Sequence, residues 1–326
     1  MEFKLDKKVS LPEAETDFLA VGELLVDLIA REETGSFAQV ETYRRHFGGS
    51  PANIAINVRN LGCRSALISR IGADGLGDFL IRRLNLAGVN ADGIIRDEKN
   101  NTSLMLVTRS RESPEFLAYR GADRCLKPED VKSERIAGAG IVHISTFAIS
   151  AAESRRALEK VVRISRDRDR VLALDPNYRP QLWEGEFSGQ EYIRKLLSDV
   201  AIVKPSLDDA RALFGPGGRE EHLRRFHEAG CDLVIFTLGA DGLIVSTAEE
   251  QRYYPSLADE VVDTTGAGDA FWGGFYGGII KGQTLHEAVK LGSALAAEAL
   301  KKVGAMVEIP EEEWLNEKYD LNLQGR

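Results

Sequence analysis

The chain has 326 residues, 43% of them hydrophobic and 29% charged, which is long enough to bury a substantial core and ordinary for a globular enzyme. Its formal net charge of −9 repels nucleic acid and anionic membrane surfaces, so neither is expected as a partner. The cysteines Cys63, Cys125 and Cys231 form no C-x-x-C pair, and the opening Met-Glu-Phe-Lys-Leu-Asp-Lys-Lys has no apolar core of signal-peptide length, so a reduced, cytoplasmic setting without sulfur-bound metal is expected.

In chain order, short apolar runs alternate with longer amphipathic ones. Asp17–Val21 and Ser65–Ser69 read as strands, followed by a helical pattern over Gly77–Ala87. Residues 96–121 break the alternation: Thr102–Thr108 and Phe116–Tyr119, around Arg-Ser-Arg-Glu-Ser-Pro, read as an antiparallel hairpin, and residues 24–47 could supply further strands beside it. Gly140–Ser145 is another strand, Ser154–Arg166 another helix, and Val171–Asp175, Val200–Val203 and Leu233–Thr237 complete the set. Continuous apolar runs that end in a polar or small residue mark buried parallel strands. Strand–helix alternation predicts a mostly parallel sheet covered by helices on both faces. Ligands of such sheets bind beyond the carboxyl ends of the strands, where Asp175, Lys204 and Thr237 fall. The longest apolar run, Ala270–Ile280, has eleven residues, four of them glycine, too short to cross a bilayer.

Two motifs carry chemistry. Asp263-Thr-Thr-Gly266-Ala267-Gly268-Asp269 precedes that apolar run. Small residues let backbone N–H groups approach an anion, and a helix N-terminus adds partial positive charge. Asp269 then stands beside the anion as a proton acceptor, the equipment for moving a phosphoryl group onto a hydroxyl. Far upstream, Gly48-Gly49-Ser-Pro-Ala-Asn53-Ile-Ala continues to Gly62 and Gly72. The paired glycines predict a tight turn, Pro51 a helix start, and Asn53 a side chain able both to donate to and to accept from a polyol.

These segments carry a resemblance to the ribokinase-like (PfkB) carbohydrate kinase family. Its first signature matches Gly48 to Gly72 and its second Asp263 to Tyr276, and the likeness runs from Val21-Gly22-Glu23 to Gly304-Ala305. The runs Asp175-Pro-Asn-Tyr-Arg179-Pro-Gln-Leu-Trp183 and Glu115-Phe-Leu-Ala-Tyr119-Arg120 look most like the fructokinase and 2-keto-3-deoxygluconate kinase branch. The resemblance implies a single ribokinase-like domain over residues 1–326, with a small β-sheet lid from about 24–47 and 96–121. It implies Asp269 as general base, the Gly266–Gly268 amides as anion hole, and Asp27, Gly49 and Asn53 as sugar contacts. Arg120 and Arg179 match arginines that face the substrate in this branch.

The same resemblance places adenine nucleotide at Thr237-Leu-Gly239-Ala-Asp-Gly242, with Lys204 nearby and Ser293 where relatives often carry asparagine. No Gly-x-x-x-x-Gly-Lys-Ser/Thr run exists, so this is not a Walker-type phosphate site. Where relatives show Asn-x-x-Glu, this chain reads Ser206-Leu-Asp-Asp209. That carboxylate is one methylene shorter, so a Mg²⁺ contact through water is expected. Asp263 and Thr265, with Gly304, match positions that bind a monovalent cation in many relatives, making K⁺ a candidate alongside ATP and Mg²⁺.

Two arginines at a sugar site would suit a keto-acid, because a guanidinium grips a carboxylate bidentately. The Gly22-Glu23 entry and the Asp-Pro-Asn-x-Arg…Leu-Trp run are equally at home in fructokinases. Fructose is the expected substrate, with a 2-keto-3-deoxygluconate-like sugar as the alternative and a non-catalytic sugar or nucleotide sensor as a more remote one. No Gly-x-Ser-x-Gly or His-Glu-x-x-His is present, and His143, within a strand, is expected to be a packed core residue. The lid's sheet edges suit a homodimer.

Overall fold

The computed structural model describes residues 3–109, 115–183, 188–304 and 309–321. Its strands are β1 (Thr16–Val21), β2 (Leu25–Glu33), β3 (Tyr43–Gly48), β4 (Ser65–Gly72), β5 (Asn90–Asp97), β6 (Leu104–Arg109), β7 (Phe116–Tyr119) and β8 (Ala139–Ser145). They continue as β9 (Val171–Asp175), β10 (Ile202–Val203), β11 (Leu233–Thr237), β12 (Leu243–Ser246) and β13 (Gln251–Tyr254). Nine form one sheet in the order β13-β12-β11-β10-β9-β8-β1-β4-β5. Pairing is parallel from β5 across to β11 and antiparallel for β12 and β13.

Consecutive residues of β1 show why the central strands read as continuous apolar runs. Phe18 and Ala20 enter the buried cluster on one face of the sheet, and Leu19 and Val21 the cluster on the other. A strand covered by helices on both faces has no polar side to show. The expected strand over 200–203 is only Ile202–Val203, because Val200 caps a short 3₁₀ turn that delivers the chain to the sheet. The helices expected over 77–87 and 154–166 span Gly75–Ala87 and Ala152–Asp167.

The second sheet has the order β3-β2-β6-β7. β6 and β7 are the antiparallel pair expected from residues 96–121, and the turn at 110–114 lies outside the described residues. β2 pairs antiparallel with β3 but parallel with β6, a register no local pattern announces. On the edge strand β7, Phe116, Leu117 and Tyr119 are exposed.

The Ala267–Ile280 helix is buried along almost its whole length, including Trp272 and Tyr276. Its glycines are contact surfaces. A Cβ on Gly274 would come within 2.8 Å of the Gly292 Cα on the Leu285–Ala299 helix, so the two backbones approach closely. Among the described residues no helix is long and apolar enough to cross a membrane.

Candidate active site

The carboxyl ends of β1, β8, β9, β10 and β11 converge on the starts of two helices, Ser50–Asn60 and Ala267–Ile280. Gly49 caps the first with φ +101° and Gly266 the second with φ +81°, a backbone region costly for side-chain-bearing residues. Gly48 is constrained by space instead. A Cβ there would lie 2.3 Å from the Asp27 Oδ2 carried on β2. The paired glycines therefore admit a carboxylate and turn the chain into the helix.

Asp269 sits in the first turn of its helix, directly behind Gly266-Ala267-Gly268. The Ser50 hydroxyl donates to its Oδ1 at 2.6 Å and the Asn53 amide to its Oδ2 at 2.9 Å. Asn53 Oδ1 is buried with no hydrogen-bond partner among the described residues, leaving an acceptor for a hydroxyl. Burial raises the Asp269 carboxyl to about 6, against the opposing pull of the Ser50 and Asn53 donors. Asp27 goes further, to about 8, from burial and then from the charges of Asp269 and Glu23. Glu23 reaches about 7, chiefly from burial, and its Oε1 accepts the Ser50 N–H at 3.3 Å. Asp27 thus feels two like charges, which add to the cost of ionising it.

The opposite wall is cationic. Lys204, just past β10, is buried, and its ammonium pairs with Asp175 Oδ2 at 2.7 Å. A Cβ added to Gly268 would meet Lys204 Nζ at 3.4 Å, so this cation abuts the glycine cradle.

Arg120 points inward, and its fork is engaged. Nε and Nη2 donate to Asp123 Oδ2 at 2.9 and 2.6 Å, and Nη1 to Ser150 Oγ at 2.6 Å. The guanidinium also stacks 4.3 Å over Phe147. Arg179 is exposed, and among the described residues its guanidinium makes one hydrogen bond, Nη1 donating to the neighbouring Tyr178 carbonyl at 3.3 Å. The two arginines thus differ: Arg120 is paired with Asp123, whereas Arg179 makes no ion pair among the described residues.

On the nucleotide side, Thr237 ends β11, and its N–H donates to the Pro205 carbonyl at 2.9 Å. Gly239 and Gly242 both have positive φ, +62° and +87°, and the Leu238 N–H closes the turn onto the Gly242 carbonyl at 2.8 Å. Ser293 bonds back to the Val289 carbonyl of its own helix at 3.0 Å. Asp209 closes a capping box: Oδ2 accepts the Ser206 N–H and hydroxyl, while Oδ1 accepts the Tyr178 N–H. With both oxygens so held, a cation would meet this carboxylate through water. No group of three metal-ligating side chains occurs among the described residues. Asp263 gathers its two expected companions, accepting from the Thr265 N–H at 2.9 Å and the Gly304 N–H at 3.0 Å.

Sequence reasoning gave no site role to Ser50, Glu23 or Trp272, and placed Asp175 only at a strand's ligand-facing end. A serine ahead of proline at a helix start reads as a cap, yet here Gly49 holds that place and the hydroxyl turns to Asp269. His143 is the packed residue expected, buried and bonded to the Tyr276 hydroxyl at 2.9 Å, with its acidity shifted to about 4 by burial.

A partly buried carboxylate in the first turn of a helix, behind two glycines and with a cation alongside, is the arrangement that phosphoryl transfer calls for. The profile of pfkB family carbohydrate kinases matches residues 15–312. The chain is 43% identical over 319 residues to an ATP-dependent 6-phosphofructokinase of Thermoanaerobacterium thermosaccharolyticum, covering 98% of each. The Halothermothrix orenii fructokinase is 40% identical, with a TM-score of 0.78 over 85% of this chain and 97% of that one. A Vibrio cholerae fructokinase double mutant described with fructose, ADP and potassium bound is 27% identical, with a TM-score of 0.84 over 94% and 99%. The chain belongs to the pfkB family of carbohydrate kinases. It is a sugar kinase with the ribokinase-like architecture of its structural neighbours.

Proposed function

We propose that this kinase transfers the γ-phosphoryl group of ATP to the terminal hydroxymethyl of fructose, giving fructose 6-phosphate, with Asp269 as general base. The observation that carries the reading is the placement of Asp269 at the Ala267–Ile280 helix N-terminus, both oxygens steadied by Ser50 and Asn53. A base with pKa near 6 is ionised at neutral pH yet basic enough to take a hydroxyl proton as the oxygen attacks. Asp27, whose carboxylate accepts no hydrogen bond among the described residues, and the Asn53 Oδ1 would accept from the other sugar hydroxyls.

The Gly266–Gly268 amides and Lys204 would take the charge that spreads over the phosphoryl oxygens, where fixed dipoles count most. The Thr237–Gly242 turn would carry the nucleotide, with Ser293 nearby. Magnesium, when bound, neutralises phosphate charge. Asp209 would hold it through water, in keeping with a cation that sheds its hydration reluctantly. Asp263, Thr265 and Gly304 would frame a potassium site beside the cradle.

The β3-β2-β6-β7 sheet carries Asp27 and would act as a lid, excluding water from the phosphoryl group. The exposed Phe116, Leu117 and Tyr119 at its edge suit coverage by a second copy of the chain. Three free cysteines fit a reducing, cytoplasmic setting.

Fructose is favoured over a keto-acid because Arg120 is already neutralised by Asp123. A sugar phosphate is the second reading, supported by the 43% identical relative named 6-phosphofructokinase and by the exposed Arg179, which makes no ion pair among the described residues. ADP release with Mg²⁺-ATP, against fructose, fructose 6-phosphate, 2-keto-3-deoxygluconate, ribose and a nucleoside, with and without potassium, tests the assignment. Preferential turnover of fructose is expected. Preference for either anionic sugar overturns the fructose reading and makes Arg179 an anion contact.

A further inference from the structure

Trp272 lies one helical turn beyond Asp269, with its indole fully buried. Its ring stacks on Tyr276, centroids 4.8 Å apart and planes 16° from parallel. Such a side chain is ordinarily there for volume. Its one polar atom has a specific target, however. Nε1 donates to Asp175 Oδ2 at 2.9 Å, the same oxygen that receives Lys204 Nζ at 2.7 Å. The Lys204 ammonium lies 5.6 Å from the indole centroid and against the cradle at Gly268. Asp175 ends β9, Lys204 follows β10 and Trp272 stands on the cradle's own helix, so three separate chain segments meet at one carboxylate oxygen.

We infer that Trp272 is a positioning residue for phosphoryl transfer: by donating to Asp175 it sets the carboxylate that holds the Lys204 ammonium at the Gly268 end of the cradle. The inference rests on the proposed reading of the cradle as the phosphoryl site. An ammonium carries three donors; one is engaged by Asp175, which leaves two that phosphoryl oxygens could take. A carboxylate bonded only to lysine can rotate and draw the ammonium with it. The indole N–H pins one oxygen, and with it the position of the cation. Because Trp272 and Asp269 share one helix, base and cation are registered to the same rigid element. Charge stabilisation in phosphoryl transfer depends on such fixed placement.

The test is a double-mutant cycle on the full chain with Trp272→Phe, which keeps an aromatic ring against Tyr276 but removes the N–H together with part of the indole's volume, and Lys204→Met. Lys204→Met should lower kcat by about 100-fold, the usual scale for losing one donor to a transition-state charge. Trp272→Phe should lower kcat by roughly tenfold, leave the sugar KM unchanged, and weaken inhibition by ADP with fluoroaluminate more than inhibition by ADP alone. Placed in the Lys204→Met background, Trp272→Phe should cost nothing further. An equal loss in both backgrounds would show Trp272 to be structural and overturn the inference, as would a Trp272→Phe enzyme with unchanged kcat. Wild-type activity in Lys204→Met would instead strike at the cradle reading itself, so the two failures are distinguishable. A melting temperature of Trp272→Phe within a few degrees of wild type confirms that the fold is intact.

Discussion

The two walls of the active site are built from opposite charge. On the proposed sugar side burial raises Glu23, Asp27 and Asp269, and the charges of Asp269 and Glu23 raise Asp27 further. On the proposed phosphate side stand amides at a helix N-terminus and the buried Lys204. A polyol presents hydroxyl hydrogens and asks for acceptors, whereas a phosphoryl group presents oxygens and asks for donors. Asp269 lies on the boundary, a member of the acidic cluster that also stands in the first turn of the helix that offers the amides. The contrast teaches that the global charge of −9 is no obstacle to binding a polyanion, because short-range dipoles and one placed cation decide the local field.

Removing the boundary group should have the largest effect. Asp269→Asn is expected to lower kcat by roughly 10²- to 10⁴-fold, the usual worth of a general base. The fold should be preserved, because Asn53 can turn its unpartnered Oδ1 to the new amide. Coupled ADP-release kinetics with a thermal melt checks both, and near-full activity would sink the assignment of the base.

Gly268→Ala intrudes on the donor wall alone. Its new methyl would meet only Lys204 Nζ, at ordinary contact distance, so folding should be normal. Displacing the phosphoryl group by even an ångström should still cut kcat by about 10²-fold. A variant with wild-type kcat would show that the phosphoryl group lies elsewhere.

The acidic wall should reveal itself in pH dependence. With Asp269 near 6, kcat/KM should fall about tenfold per unit below that value and level off above it. Stability should run the other way. Asp27 keeps its proton up to about 8 when folded but loses it near 3.8 when unfolded, so the folded state binds more protons between those values and stability falls as pH rises through them. Asp27→Asn should therefore raise the melting temperature at pH 8 and leave it nearly unchanged at pH 4. An equal shift at both would mean that Asp27 is not the group responsible.

The smallest effect is expected from Arg179→Ala. An exposed guanidinium whose hydrogen bond among the described residues is to a backbone carbonyl should change fructose KM by less than about threefold. A much larger rise with an anionic sugar would move Arg179 into the substrate site and favour the sugar-phosphate reading.

By itself the sequence determined what depends on neighbours along the chain. Each buried strand declares its apolar run, positive-φ turns demand glycine at Gly49 and Gly266, and Asp269 must follow its cradle because all lie within one helical turn. Only the tertiary structure decided who partners whom across the chain. It set β2 parallel to β6, brought Arg120 to Asp123 and Ser150, and turned the Ser50 hydroxyl to Asp269. It also joined Trp272, Asp175 and Lys204 at a single oxygen. The reason is physical: propensity, turn geometry and periodicity act over a few residues, whereas a buried charge takes whichever partner the packing of distant segments brings within hydrogen-bonding distance.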